Sequence, residues 1–245
     1  MPIATDTVTT ADGTCRVTVA TPDGDGPWPG VVMYPDAGGR RPTFDQMAAE
    51  LAGHGYVVVV PDVYYRSGDW APFDMGTVFG DPDERKRLFA MIGSVTPEAM
   101  ATDASALFDY LAARPDVRGE RFGTTGYCMG GRTSITVAGR VPDRVAAAMS
   151  FHGGGLVTDD ADSPHRWADR IQARVFVAGA AEDQSFTADD AETLDKALTA
   201  AGVEHTVVVY DAGHGFAVPD NAPYDEAAAQ RHWDAMREVF AAALP

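Results

Sequence analysis

Short apolar runs alternate with stretches of helical spacing along most of this 245-residue chain. Seven such runs predict strands, at residues 15–20, 30–35, 56–61, 121–126, 145–151, 174–179 and 204–211. The run at 15–20 follows a turn at Asp12 and Gly13 and is the predicted first strand. The runs at 30–35 and 56–61 are short and β-branched, which is typical of parallel strands buried on both faces.

Between these runs, apolar residues recur at helical spacing. They predict helices at residues 43–53, 83–91, 97–113, 129–139, 188–201 and 224–243. In the first of these, Thr43 is a candidate cap and Gly53 a candidate terminator. The alternation predicts an α/β protein whose mostly parallel, twisted sheet of about seven or eight strands carries helices on both faces.

Residues 67–96 interrupt this regular alternation. The segment is irregular and rich in Asp, Pro and Gly, apart from the helical piece at 83–91. A long insertion near a site is often a lid or a substrate wall, and a plain surface loop is the alternative. No Pro/Gly/Ser linker and no internal repeat divides the chain, so residues 1–245 are expected to form a single domain.

The amino-acid composition limits which classes of molecule this protein is expected to bind. The net charge of −17, from 19 basic and 36 acidic side chains, argues against nucleic acid and anionic membranes. It does not exclude a small anionic substrate, because surface charge is screened and one well-placed arginine can dominate a pocket. No apolar run approaches the ~18 residues of a membrane span, and no secretory signal is visible. We expect a cytoplasmic monomer or small homo-oligomer.

The most informative motif is Gly-Tyr-Cys-Met-Gly-Gly at residues 126–131, between a predicted strand and a predicted helix. This is the nucleophile-elbow pattern of hydrolases with a twisted α/β sheet, with Cys128 where serine is usual. Glycines allow so tight a turn, and the N–H groups of the following helix favour a thiolate. The second cysteine, Cys15, lies within a predicted strand and is expected to be structural.

An acid and a histidine follow two later predicted strands, in the order that such hydrolases use. Asp183 follows the strand at 174–179, and His214 follows the strand at 204–211. Reactive groups gather beyond the carboxyl ends of parallel strands, so Cys128, Asp183 and His214 can converge. His214 would act as base and then acid, and Asp183 would orient it. Glu182 is a rival to Asp183, and either acid could simply cap the next helix.

The backbone N–H groups of Met129 and Ala37 are the candidate oxyanion hole, because they follow the nucleophile and an early strand. The His-Gly-Gly-Gly run that begins at His152 looks like an oxyanion motif but follows the nucleophile instead of preceding it. It is interpreted as a loop at a strand end, with His152 lining the pocket. The six histidines form no recognised metal motif, so no metal site is predicted.

These motifs resemble those of the dienelactone hydrolases (carboxymethylenebutenolidases), a family of the α/β-hydrolase fold. The resemblance covers nearly the whole chain and includes the loop at 34–38, Pro-Asp-Val-Tyr at 61–64, Asp-Glu-Arg at 83–85, the elbow, the turn at Asp183 and the loop at 213–217. It implies a Cys128–His214–Asp183 triad that hydrolyses an enol-lactone to an oxo acid without a cofactor. We therefore expect a hydrolase of esters or lactones; a promiscuous carboxylesterase and a non-catalytic ligand-binding protein of the same fold are the alternatives.

This chain departs from the family pattern at several positions. The family has a glutamate that helps to activate the cysteine where this sequence has Asp36. Of the two arginines and the tyrosine that hold a substrate carboxylate in the best-known members, only Arg87 is matched; Val218 and Met91 occupy the other two positions. Loss of a charge-assisted bond weakens carboxylate recognition by about 1.5–3 kcal/mol. The resemblance therefore predicts a more apolar or neutral ester as substrate.

Overall fold

An eight-stranded sheet runs through residues 1–244, the part of the chain that the computed structural model describes. The strands are β1 (Ile3–Thr10), β2 (Gly13–Ala20), β3 (Trp28–Tyr34), β4 (Val57–Pro61), β5 (Val117–Tyr127), β6 (Val145–Phe151), β7 (Arg174–Ala180) and β8 (His205–Tyr210). Their order across the sheet is β1-β2-β4-β3-β5-β6-β7-β8. All neighbours from β4 to β8 are parallel, whereas β1–β2 and β2–β4 are antiparallel.

The expectation that the run at 15–20 begins the sheet is wrong, because β1 precedes it. β1 pairs with β2 along its whole length, from Ile3 opposite Ala20 to Thr10 opposite Gly13. Only Val8 and Thr10 of β1 are buried, since the strand lies at the edge of the sheet. A mostly polar edge strand lacks the apolar run by which the other strands were predicted.

Six α-helices lie in residues 1–244. They are α1 (Pro42–Ala52), α2 (Pro82–Ser94), α3 (Pro97–Ala112), α4 (Met129–Arg140), α5 (Ala188–Ala200) and α6 (Glu226–Ala243). Short 3₁₀ helices cover Tyr65–Ser67, Pro142–Arg144 and Pro164–Arg170. α1 and α6 pack in one apolar core, and α2 to α5 pack in the other. The sheet is therefore covered on both faces, which confirms the predicted α/β class.

Helix ends differ from the predicted ones where the cap was misread. α1 is preceded by Arg41, and Thr43, the predicted cap, lies inside the helix and donates to Asp220 at 2.6 Å. Gly53 does end this helix, as predicted. α6 begins at Glu226, two residues after the predicted start, because the Asp225 carboxylate accepts the N–H of Ala228.

The segment 67–96 contributes to the larger apolar core as well as to the surface. α2 within it is longer than the predicted piece at 83–91, and Asp81 caps it through the N–H groups of Asp83 and Glu84. Leu88 and Phe73 are buried, whereas Phe79 and Phe89 remain 54% and 57% exposed. The segment is thus anchored by some apolar side chains and presents others outward.

The parallel order places several loops at one edge of the sheet. Cys128 directly follows β5, Asp183 follows β7 and His214 follows β8, while the loop that contains Asp36 and Ala37 follows β3. Carboxyl ends of parallel strands point the same way, so these loops meet above the sheet. No helix within residues 1–244 is long and apolar enough to cross a bilayer.

Candidate active site

Cys128 occupies a strained turn between β5 and α4. Its φ of 53° and ψ of −117° lie in a region that non-glycine residues rarely adopt. The turn is held by the Cys128 N–H, which donates to the Phe151 carbonyl at 3.1 Å. A Cβ at Gly126 would collide with the Gly130 carbonyl, and one at Gly130 would collide with the Tyr34 carbonyl. These glycines let the strand and the helix approach closely enough to lift Cys128 above the sheet.

His214 and Asp183 form a close pair. The distance between His214 Nδ1 and Asp183 Oδ2 is 2.6 Å, and the imidazole N–H donates to the carboxylate. The other carboxylate oxygen accepts from the Ser185 backbone at 2.8 Å and from its hydroxyl at 2.7 Å. Burial raises the pKa of Asp183, but the hydrogen bonds from His214 and Ser185 outweigh it and hold that pKa below its ordinary value. Glu182, the rival acid, is exposed.

The imidazole of His214 favours the protonated form. Burial opposes the charge, but the hydrogen bond to Asp183 and the interaction with the Cys128 side chain overcome it and raise the pKa to about 10. The structure therefore brings Cys128, His214 and Asp183 together in the order that the sequence predicts. The sulfur and the carboxylate both interact with the imidazole, and both stabilise its positive charge.

Two cavities meet at Cys128 and His214. The larger, of about 460 Å³, has a mainly apolar wall in which five residues come from the region 79–100, namely Phe79, Phe89, Ile92, Val95 and Met100. The smaller, of about 310 Å³, is lined by Asp36, Met75 and Asn221 among others. Ala37 and Phe79 line both cavities. The segment 67–96 thus forms a wall of the site, and whether it moves as a lid stays a prediction.

The two residues predicted to supply the oxyanion donors, Ala37 and Met129, both contact Tyr64. Met129 is the first residue of α4, where an N–H has no partner within its helix. The buried hydroxyl of Tyr64 donates to the Ala37 carbonyl at 2.8 Å and lies 3.6 Å from the Met129 sulfur. Both residues line the larger cavity. Tyr64 therefore fixes the loop of Ala37 against the start of α4.

The carboxylate of Asp36 forms an ion pair with Arg41. Arg41 Nη1 and Nη2 donate to its two oxygens at 2.6 and 2.9 Å, and the Gly38 N–H and the Asn221 amide donate as well. Arg41 also donates to both oxygens of Asp220, at 2.7 and 2.8 Å. This network joins the loop after β3 to the chain that follows His214. None of these contacts of Asp36 involves Cys128, so the activation of Cys128 by Asp36 stays a prediction.

Three residues expected to touch substrate lie outside the walls of both cavities. Arg87 is paired with Glu84 through two hydrogen bonds of 3.1 and 2.6 Å, and its guanidinium lies over the Phe73 ring. Met91 and Val218 are buried in apolar cores, so neither presents a surface to a ligand. The positions that hold a carboxylate in the best-known family members thus have structural contacts in this chain.

His152 also lies outside both cavity walls, directly behind His214. It is fully buried with a φ of 40°, and its ring packs edge-on against His214 and Phe216 at 5.2 and 5.0 Å between centroids. Neither ring nitrogen has a hydrogen-bond partner in residues 1–244. Burial lowers its pKa well below the ordinary value, so the ring is neutral. The predicted pocket contact is replaced by packing on the candidate base.

Other residues of the site were missed from the sequence. Phe79 and Phe89 line the larger cavity. One feature of the sequence could have indicated this, namely that both are aromatic residues within an otherwise polar segment. Arg132 lines the larger cavity four residues after Cys128, and Arg41 organises the loop after β3. No group of three His, Cys, Asp or Glu side chains in residues 1–244 is placed to hold a metal ion.

The chain is similar to known proteins over nearly its whole length. The model of the dienelactone hydrolase family matches residues 15–244. A Synechocystis protein that is provisionally named carboxymethylenebutenolidase is 28% identical over 227 residues, which are 91% of this chain and 89% of that protein.

Two solved structures are similar over almost their full length. One is a provisionally named dienelactone hydrolase of Klebsiella pneumoniae, with a TM-score of 0.84, 26% identity and 98% of both chains covered. The other is a dienelactone hydrolase-like promiscuous phosphotriesterase from metagenomic libraries, with a TM-score of 0.76, 26% identity and 100% of both chains covered.

Proposed function

Because this chain belongs to the dienelactone hydrolase family, we propose that it hydrolyses ester or lactone bonds of small molecules through a Cys128–His214–Asp183 triad. The observation that carries the proposal is the 2.6 Å bond between His214 and Asp183 at a point where two cavities meet at Cys128. A packed structural cysteine would not stand at the junction of two cavities. No cofactor takes part in the proposed reaction.

In the proposed first step, the Cys128 sulfur attacks the carbonyl carbon as a thiolate. His214, which has taken up the thiol proton, stays charged because Asp183 accepts the hydrogen bond from Nδ1. The C–O bond to the leaving alcohol breaks, and His214 passes its proton to that oxygen. The product at this stage is a thioester on Cys128.

In the second step, neutral His214 takes a proton from water, which attacks the thioester carbon. The C–S bond breaks, the carboxylic acid leaves and the sulfur returns to the thiolate, with the proton again on His214. In both steps negative charge develops on the carbonyl oxygen. The backbone N–H groups of Ala37 and Met129 are the proposed donors to it, because both residues line the cavity beside Cys128.

The proposal is tested by Cys128→Ala with Cys15→Ala as the matched control. Without the nucleophile, we expect hydrolysis of p-nitrophenyl acetate to fall to background, a loss of at least about 10³-fold. Cys15 is buried in β2, and burial raises its pKa to about 12, so it stays a thiol. Its replacement should cost about 1 kcal/mol of stability and leave kcat unchanged.

Circular dichroism and urea unfolding would show that both variants are folded. Full activity of a folded Cys128→Ala protein would refute the triad. If the wild-type protein hydrolysed no ester or lactone but bound ester analogues specifically, a ligand-binding role without catalysis would replace the proposal.

A second candidate is a promiscuous carboxylesterase that acts on neutral esters. The apolar wall of the larger cavity favours it, as does the burial of Met91 and Val218 at the carboxylate-binding positions of the family. A panel of lactones and p-nitrophenyl esters of increasing chain length separates the two candidates. A selective enzyme prefers one lactone or ester strongly, whereas the promiscuous esterase shows a shallow dependence on chain length.

A further inference from the structure

Arg132 is an unpaired cation in the wall of the larger cavity. Within residues 1–244 its guanidinium makes no hydrogen bond or ion pair, and its Nε is buried without a partner. The other arginine near the site, Arg41, is fully engaged by Asp36 and Asp220. A buried polar N–H without a partner costs about 1–3 kcal/mol, so an arginine in this state needs an explanation.

The local structure holds Arg132 at this place. It lies one helical turn after Cys128, and its N–H donates to the Cys128 carbonyl at 3.2 Å, so both residues belong to the same end of α4. Its side chain passes over Gly155, where an added Cβ would lie 3.4 Å from Nη1 and 3.7 Å from Cδ. Gly155 has a φ of 66° and leaves space for the side chain. The His-Gly-Gly-Gly loop therefore supports the arginine.

The surroundings of Arg132 supply no internal counterion. Among residues 1–244, Asp183 is the only carboxylate in the wall of the larger cavity, and it is hydrogen-bonded to His214 and Ser185. Most of the remaining wall is apolar, from Phe79 and Phe89 to Met100. In such a wall an anion meets little competing water, which strengthens a charge-assisted hydrogen bond.

We propose that Arg132 is a specificity-determining residue that binds a carboxylate on the substrate, and that the substrate is an ester or lactone with an apolar body and one such carboxylate. The inference rests on the proposed function of the Cys128 site. A planar guanidinium matches a planar carboxylate with two parallel hydrogen bonds, whereas the apolar wall receives the rest of the molecule. The presence of Val218 and Met91 led us to expect a neutral substrate. Arg132 reverses that expectation, because it supplies a cation from a position of the chain other than those two.

The test compares two p-nitrophenyl esters of equal chain length, the neutral pentanoate and the anionic hemiglutarate. The measured quantity is the ratio of kcat/KM for the anionic ester to that for the neutral ester. We expect Arg132→Gln to lower this ratio at least about 10-fold, mainly through KM, and Arg132→Lys to retain part of it.

The matched control is Arg166→Gln, which removes the same charge from an exposed position outside both cavities and should leave the ratio unchanged. Salt of about 0.15 M screens long-range steering in every assay. A ratio that stays within about twofold in Arg132→Gln would overturn the proposal, even if both rates fall together through structural damage.

A binding measurement separates this inference from the proposed function. In Cys128→Ala, calorimetry should show tighter binding of 4-phenylbutyrate than of the neutral 4-phenylbutyramide, and Arg132→Gln in that background should abolish the difference. If the wild-type protein hydrolyses neither ester but this preference is present, the proposed hydrolysis fails and the anion site stands. Equal affinity for the two ligands in Cys128→Ala would overturn the anion site.

Discussion

At the scale of single residues, the proton on His214 is controlled by its neighbours. Burial disfavours it, and the bonds to Asp183 and Cys128 raise the pKa from 6.5 to about 10. A group whose pKa is raised by folding contributes stability that is fully present below its unfolded pKa and is lost as the pH rises through the folded one. The contribution of His214 is therefore complete below about pH 6.5 and disappears as the pH approaches 10.

We predict that Asp183→Asn flattens the pH dependence of stability between pH 7 and 10, because it removes the carboxylate that accepts from His214. The measurement is the urea midpoint at several pH values in this range for wild type and variant. Asp195→Asn is the matched control, since it removes the partner of His205 from an exposed pair at 3.2 Å. Parallel curves for wild type and Asp183→Asn would contradict the role of Asp183 in holding the proton.

The positions of Cys128, Asp183 and His214 could be predicted because each follows a strand that the sequence marks clearly. The surroundings of Asp36 and Arg132 could not be predicted. Arg41 pairs with Asp36 through the geometry of one loop, and Arg132 depends on the space over Gly155. Both contacts are set by tertiary packing, which a local pattern does not contain. The same holds for Met91 and Val218, whose burial is decided by distant elements.

At the scale of elements, the close approach of α4 to β3 fixes where Cys128 stands. An added Cβ at Gly130 would run into the carbonyl oxygens of Tyr34 and Pro35, which are backbone atoms and cannot rotate away. The start of α4 thus rests directly on the end of β3. The same end of β3 leads into the loop of Ala37, so this contact also sets the spacing between the two proposed oxyanion donors.

We predict that Gly130→Ala destabilises the protein by about 1–3 kcal/mol or more and lowers kcat, because α4 must move away from β3. The control is Gly93→Ala in α2, where an added Cβ meets nothing within 4 Å. That change should be neutral or stabilise by up to about 1 kcal/mol, since alanine favours helix. Urea unfolding and ester hydrolysis measure both effects. Similar losses in the two variants would show that the contact with β3 is unimportant.

Elements with a strong apolar pattern were predicted closely, whereas those stabilised by distant partners were not. The prediction for β6 matches its bounds, Val145–Phe151, because nearly every residue is buried. β1 was missed because it is held by backbone pairing with β2 and has few apolar residues. α2 extends to Ser94, beyond its predicted end, and Met91 packs in the larger core.

At the scale of the whole molecule, negative charge dominates the surface. Many arginines are bound to acids of the same chain, among them Arg66 to Asp12 and Asp103. The remaining acids leave a net charge of −17, whose self-repulsion opposes the compact state. Exposed ion pairs contribute at most about 1 kcal/mol each to the free energy of unfolding. Screening of these pairs by salt therefore changes stability less than screening of the repulsion between acids. The balance favours stabilisation by salt.

We predict that raising NaCl from about 20 to about 300 mM at pH 7.5 raises Tm by a few degrees, because the ions screen the repulsion between acids. The control is the same titration near pH 4.5, the sequence pI, where the net charge is close to zero and the salt effect should vanish. Scanning calorimetry measures both series. A Tm that falls with salt at pH 7.5 would mean that the ion pairs outweigh the repulsion.

The junction of the two cavities at Cys128 bears on the sequence of events in a turnover. An ester that straddles the sulfur can place its acid half in one chamber and its alcohol half in the other. In the proposed mechanism, departure of the alcohol would empty one chamber, from which water can approach the thioester while the acid half stays in the other chamber. In the proposed reaction, attack by water and release of the acid would then involve different chambers.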